Sequence, residues 1–138
     1  MSQLDDNSIS RQRETTGRVP PSAIEAEESL LGAMLLSQDA AVVAAEILKA
    51  EDFYRPMNGH IFAAIVDLMN SFEPVDLVTV QARLQARGAG QVELAMLTAL
   101  QINTPSTGNA ERYARLVRDT AQQRRLITAG AAIVDEAY

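Results

Sequence analysis

The sequence predicts an all-α protein, a compact helical head followed by one long helix. Three observations carry that expectation. Ile61, Ile65, Leu68 and Phe72 repeat at the three-and-four spacing of a buried helix face, with Phe62, Val66 and Met69 beside them. The chain has no Trp, three Phe and three Tyr, so its core must come from Leu, Ile, Val, Ala and Met, which suits helix packing better than a β-sandwich. Residues 110–138 contain no proline and a single glycine, Gly130, so one helix can run their whole length. With 138 residues and 47% apolar content, the chain is long enough for one core.

Taken in order, residues 1–19 are polar, lack a helical or strand period, and read as a flexible tail. Pro20 and Pro21 close it. Ser22-Ala23-Ile24-Glu25 has the pattern of a capping box, in which the Ser and Glu side chains satisfy reciprocal backbone donors, and predicts a helix start. Glu25, Glu27 and Glu28 suit the positive end of that helix, and Leu30, Leu31, Met34 and Leu35 form its buried side. Gly32 costs about 1 kcal/mol relative to Ala in a helix interior, so a closely packed neighbour is expected there.

A short helix over residues 40–48 should turn Val43 and Ile47 inward, and Phe53 and Tyr54 should cover the end of the core. Pro74 stops the central helix and Asp76 caps the next, which places Leu77, Val80 and Leu84 on one side and Arg83 and Arg87 away from it. Residues 88–91 form a Gly-containing break. A helix over 92–102 then carries Met96, Leu97 and Leu100, and residues 103–109 read as a connector with Asn109 available as N-cap. The organisation expected is a tail over 1–19, a helical head over 20–104, and a connector with the long helix over 105–138.

The net charge of −6 is unevenly spread. Residues 1–22 are neutral, residues 23–104 hold eleven acids against four bases, and residues 105–138 carry a net charge of +1. An acidic head repels phosphates, so little direct DNA binding is expected of it. The absence of cysteine excludes a disulfide scaffold and a Cys-based zinc site and suits a reducing compartment. No apolar run resembles a signal peptide or membrane span, so a soluble, cytoplasmic protein without membrane contact is expected.

Phosphate-binding glycine loops and H-E-x-x-H are absent, and His60 is the single histidine. The pairs Glu27/Glu28 and Glu51/Asp52 diverge on a helix and read as charges of helix starts. Arg112, Arg115 and Arg118 could meet phosphate or pair with acidic neighbours. No catalytic, cofactor or metal residue is assigned. The long helix would extend on the order of 40 Å, too far to be covered by so small a head. Its apolar positions Tyr113, Leu116, Val117, Ile127, Ile133 and Val134 are interrupted by Arg124 and Arg125. A helix that cannot bury its apolar face alone must pack on another helix, from further along the chain or from another subunit.

The runs PPSAIEAEESLLGAMLL, EDFYRP, IFAAI, EPVDLVTVQARL and NTPSTGNAERYARLVRDTAQQRRLI occur in the order and spacing of one known family. Over residues 19–138 the chain resembles the N-terminal domain of bacterial replicative DNA helicases of the DnaB type. EDFYRP and PVDLVTV carry the resemblance most specifically; Asn58 stands where that family would have His.

The resemblance implies that the long helix is the first arm of a helical hairpin whose second arm lies beyond Tyr138. It further implies dimer pairs within a hexameric collar, docking of the primase C-terminal domain, and a helicase loader as a further partner. ATP and Mg would belong to a C-terminal motor. By that analogy Tyr113, Leu116, Val117, Ile127 and Val134 form the helix-to-helix interface, or pack in part on their own head. The rival readings are a helicase-binding domain of a primase, a stand-alone helical adaptor, and a helix-turn-helix DNA binder. Met1 and the tail favour a true beginning over a module that follows a primase catalytic domain, and the acidic head opposes the DNA binder.

Overall fold

The computed structural model describes residues 20–138; the expected tail lies outside the described residues. Six α-helices and no strand are present among them: α1 Ile24–Leu36, α2 Gln38–Ile47, α3 Pro56–Asn70, α4 Leu77–Ala86, α5 Leu94–Ile102 and α6 Ala110–Ala137. Short 3₁₀ turns at Ala50–Asp52 and Thr107–Asn109 precede α3 and α6.

Helix α1 is the centre of the head, in contact with α2, α3, α5 and α6. Leu30, Leu31, Ala33 and Met34 are buried, so its core-facing residues are nearly continuous rather than confined to a narrow stripe. Gly32 fits this crowding as expected. A Cβ there would lie 1.6 Å from Thr104 Oγ1 and 2.2 Å from the carbonyl oxygen of Leu100. Helix α5 therefore approaches α1 at a distance only glycine permits.

Helix α1 starts differently from expectation. Ala23 is its N-cap and Ser22 makes no capping bond. The entry is fixed by tertiary contact, because Arg124 Nη1 of α6 donates to the Pro21 carbonyl at 2.7 Å. In α2, Ser37 caps through its hydroxyl, which accepts from Ala40 N. The buried side of α2 is Ala40, Ala41 and Ala44, with Val43 and Ile47 only half-buried. Small side chains let α1 and α6 both pack close to α2.

Helix α3 buries Ile61, Phe62, Ile65 and Leu68, but Phe72 is 97% exposed and has φ 56°. The helix ends at Asn70, and the chain reverses before Pro74. Glu73 N donates to Leu68 O and Phe72 N to Met69 O, the paired bonds of a Schellman ending, with Phe72 at the left-handed position glycine usually fills. That turn swings the side chain off the apolar stripe.

Asp76 caps α4 as expected, accepting from Thr79 N at 2.9 Å while Thr79 Oγ1 accepts from Asp76 N. Val80 and Leu84 are fully buried. Arg83 turns back to Asp67 at 2.8 Å and to Glu73, tying α4 to α3. The break before α5 buries Ala89 and Val92, with Gly88 at φ 81°, and α5 itself buries Leu97 but leaves Met96 partly exposed. Asn109 occupies the N-cap of α6 without a side-chain bond.

Gly32→Ala is expected to destabilise the fold by about 1–3 kcal/mol through overpacking, read as a lower denaturant midpoint. The Arg83 guanidinium holds the Asp67 carboxyl below its ordinary value of 3.8. A folded-state value below the unfolded one contributes stability above that value and loses it as pH falls through the folded one. Stability should therefore drop below about pH 4, and Asp67→Asn should flatten that part of an acid-denaturation profile.

Candidate protein-interaction surface

Twenty-eight residues form α6, roughly 42 Å of helix, and the head covers only its first half. Ala110, Ala114, Val117 and Ala121 step along one side at four, three and four residues and enter the core against α1 and α2. Beyond Ala121 no residue of α6 is buried. The head therefore ends at Ala121, and residues 122–137 project as an arm.

The arm is held at its base by two adjacent arginines. Arg124 Nη1 and Nη2 donate to the carbonyls of Pro21 and Asp52, at 2.7 and 2.8 Å, and its guanidinium lies 5.3 Å from the Tyr54 ring centroid. Arg125 pairs with the buried carboxylate of Asp52, whose other oxygen accepts from Lys49 N. From the sequence, these arginines merely interrupt an apolar pattern; in the fold they fasten the helix. Charge-assisted bonds to carbonyls add about 1.5–3 kcal/mol each in favourable geometry.

One of their partners, Tyr54, is itself held by Glu27. This carboxylate is fully buried and accepts from Tyr54 N at 2.7 Å, Arg55 N at 3.4 Å and Asn58 Nδ2 at 3.0 Å. It thereby satisfies donors at the start of α3 that have no intrahelical acceptor. Glu27 and Asp52 do lie in the first turns of α1 and of the Ala50–Asp52 turn, as read from the sequence, but both are buried against backbone donors. Phe53 closes the core as expected, 5.0 Å from Phe62 between ring centroids, whereas Tyr54 is half-buried and serves Arg124. His60 is exposed.

The five residues proposed as one interface separate into two groups. Val117 is 0% exposed and taken up by the core, while Tyr113 is half-buried against the head. A side chain directed at α1 and α2 cannot also face another helix. Leu116, Ile127 and Val134 are about half exposed. Spacings of eleven and seven residues are close to three and two whole turns, which aligns these three on one line of α6, off the core-facing side, with Ile127 at the edge of a recess shared with Pro20 and Glu51. Leu126 and Ile133, at 74% and 68% exposure, flank that line and were not among the five. The seven-residue repeat of two adjacent pairs, Leu126-Ile127 and Ile133-Val134, is the signal that would have found them.

A second surface lies on the head. Between α1, α3 and α5 a cleft of about 550 Å³ has Met57, Ile61, Met96 and Leu100 in its walls and Glu25, Glu28 and Arg55 at its edges. Glu28 and Arg55 face each other at 3.6 Å. Apolar walls with an acidic edge suit an apolar side chain from a basic partner. Arg115 and Arg118 engage Glu111 and Asp119 of α6 itself. Among the described residues, no group of three or more His, Cys, Asp or Glu could hold a metal ion, and no helix is long and apolar enough to cross a membrane.

Residues 19–119 match the family described as the DnaB-like helicase N-terminal domain. The replicative DNA helicase DnaB of Geobacillus stearothermophilus is 42% identical over 125 residues, which are 88% of this chain and 27% of that protein. That of Mycobacterium leprae is 42% identical over 127 residues, 91% of this chain and 21% of that protein. The chain thus spans about a quarter of the length of these relatives. Among solved structures, the N-terminal domain of DnaB helicase from Mycobacterium tuberculosis superposes with a TM-score of 0.84 at 41% identity, covering 87% of each chain. The corresponding domain from Helicobacter pylori, described together with its interactions with primase, gives a TM-score of 0.70 at 21% identity, covering 81% of this chain and 89% of that one, and shares the fold.

Arg124→Ala should release the arm. The expected outcome is faster amide hydrogen exchange from Gln122 to Ala137 with the protection of α1 retained.

Proposed function

The chain belongs to the family of DnaB-like helicase N-terminal domains, and from that premise we propose that it acts as the collar of a replicative helicase ring. The observation that supports this reading best is the exposed line of Leu116, Ile127 and Val134, flanked by Leu126 and Ile133, along a helix whose second half has no buried residue. Large apolar side chains on the far side of a protruding helix gain nothing from their own fold. They gain about 25 cal/mol per Å² once a second helix covers them. A second arm beyond Tyr138 would complete a hairpin, and pairing of hairpins between subunits would build dimers within a hexamer. The acidic head would stand clear of DNA.

In this reading ATP, Mg and DNA unwinding belong to the longer protein, of which the matching relatives indicate about three further quarters. The collar would receive the C-terminal domain of primase, with a helicase loader as a further partner, in the cytoplasm. Met96 in the head cleft is the candidate anchor point for primase. Family membership favours this reading over a primase module, a free-standing adaptor or a helix-turn-helix protein.

In a form of the protein that self-associates, Ile127→Asp should weaken assembly at least tenfold, about 1.4 kcal/mol, by placing an unpaired charge in the contact. Light scattering would show the lower mass and circular dichroism an intact head; an unchanged mass would overturn the interface. Met96→Asp should leave mass unaltered and reduce capture of the primase C-terminal domain.

A further inference from the structure

One large side chain of the head gains nothing from its own fold. Phe72 is 97% exposed, and its φ of 56° lies in the left-handed region that a phenylalanine rarely adopts. Glycine would fit that turn without strain. The turn itself is rigid. Ser71 N, Phe72 N and Glu73 N donate to the carbonyls of Asp67, Met69 and Leu68 at 3.1, 3.0 and 2.9 Å, and Arg83 ties Glu73 to Asp67 beside them. An aromatic ring is thus held out in one fixed direction, the preorganised form of an anchor residue.

The ring stands at the rim of a recess. Where α1 and α3 end and α2 begins lies a hollow of about 560 Å³, with Met34, Leu35, Val42, Met69, Pro74 and Val75 in its walls. Leu36 and Val42 are about half exposed there. Among the described residues, Glu73 is the one charged member of the lining, and Arg83 pairs with it. The cleft between α1, α3 and α5 differs, because Glu25, Glu28 and Arg55 stand at its edges. Walls without free charge give a basic partner nothing to select, yet they let two heads of one acidic chain meet without repulsion. Knob and recess also adjoin. A two-fold axis between two heads can therefore set each Phe72 over the recess of the other, the reciprocity that a contact between identical chains requires.

We propose that this end of the head is a second contact between copies of the chain, in which Phe72 of one copy enters the recess of the other beside Met34, Val42 and Met69. The contact lies away from the arm. Arg124 holds the carbonyl of Pro21 at the start of α1, and Leu36 is the last residue of that helix, roughly 20 Å further along. A contact centred on two rings buries less than the roughly 1,200 Å² of a stable pair, so it forms at high local concentration, as between copies already joined elsewhere. Two self-contacts at opposite ends of one head can join pairs into a larger closed assembly, which neither does alone. The larger assembly rests on the collar reading; the Phe72 contact does not.

Phe72→Gly removes the ring and keeps the turn, because glycine favours the left-handed position. With Ile127→Asp in every chain to weaken the arm contact, isotope-labelled Phe72→Gly protein is mixed with unlabelled protein that retains Phe72, at up to about 1 mM. The methyl signals of Met34, Val42 and Met69 should shift as the unlabelled chain is added, while that of Leu97 in the core stays in place. The same excess of unlabelled Phe72→Gly protein should move none of them. Recess signals that do not respond to the chain with Phe72, or that respond equally to the chain without it, overturn the contact. If Ile127→Asp leaves the mass by light scattering unchanged and the recess signals still shift, the arm interface fails and the Phe72 contact stands.

Discussion

Glu27 sits where three backbone and side-chain donors converge and no water reaches. An isolated carboxylate in that position would be costly by several kcal/mol, and a carboxylate surrounded by donors offsets that cost only if every donor stays in place. The connection from Tyr54 to Asn58 is therefore tied to α1 rather than merely adjacent to it. From there the dependence runs outward. Asp52 and Tyr54 lie on the same connection, and they hold Arg124 and Arg125. Glu27 thus supports the contacts that hold the base of the arm, alongside the packing of Ala110, Ala114, Val117 and Ala121 on α1 and α2.

The same arrangement explains why one helix behaves as two. Up to Ala121 the side of α6 that meets α1 and α2 is built from alanine and valine, small enough for close approach. After that point the head meets α6 only through Arg124 and Arg125 and a recess beside Pro20 and Glu51. Arg125 and Thr128 follow on the inner side, and Leu126, Ile127, Ile133 and Val134 are left more than half exposed. An exposed amphipathic arm with large apolar residues off its core-facing side supports the proposed association.

The division of labour extends to charge. Arginines are concentrated in α6, where they fasten the helix or pair along it, while residues 23–104 hold eleven acids against four bases. The cleft between α1, α3 and α5 adds an apolar recess with acidic edges. Arm and cleft are separate features of the fold, so the proposed self-association and the proposed partner binding need not compete.

Local rules in the sequence determined the all-helical class, the extent of the long helix, the Asp76 cap, the buried line of α3 as far as Leu68 and the close approach at Gly32. Each depends on residues within a turn or two of one another, or on a backbone freedom that only glycine has. The runs EDFYRP and PVDLVTV further determined the family. Tertiary structure alone decided which side of α6 Val117 joins, because a helical period marks a stripe but not the body it faces. It also decided the burial of Glu27 and Asp52, whose donors and partners lie as many as 31 and 73 residues away. Phe72 left its stripe because the helix ended in a left-handed turn that a phenylalanine rarely adopts. Charge in a sequence reads as solvent exposure until the fold brings enough donors together to replace the water.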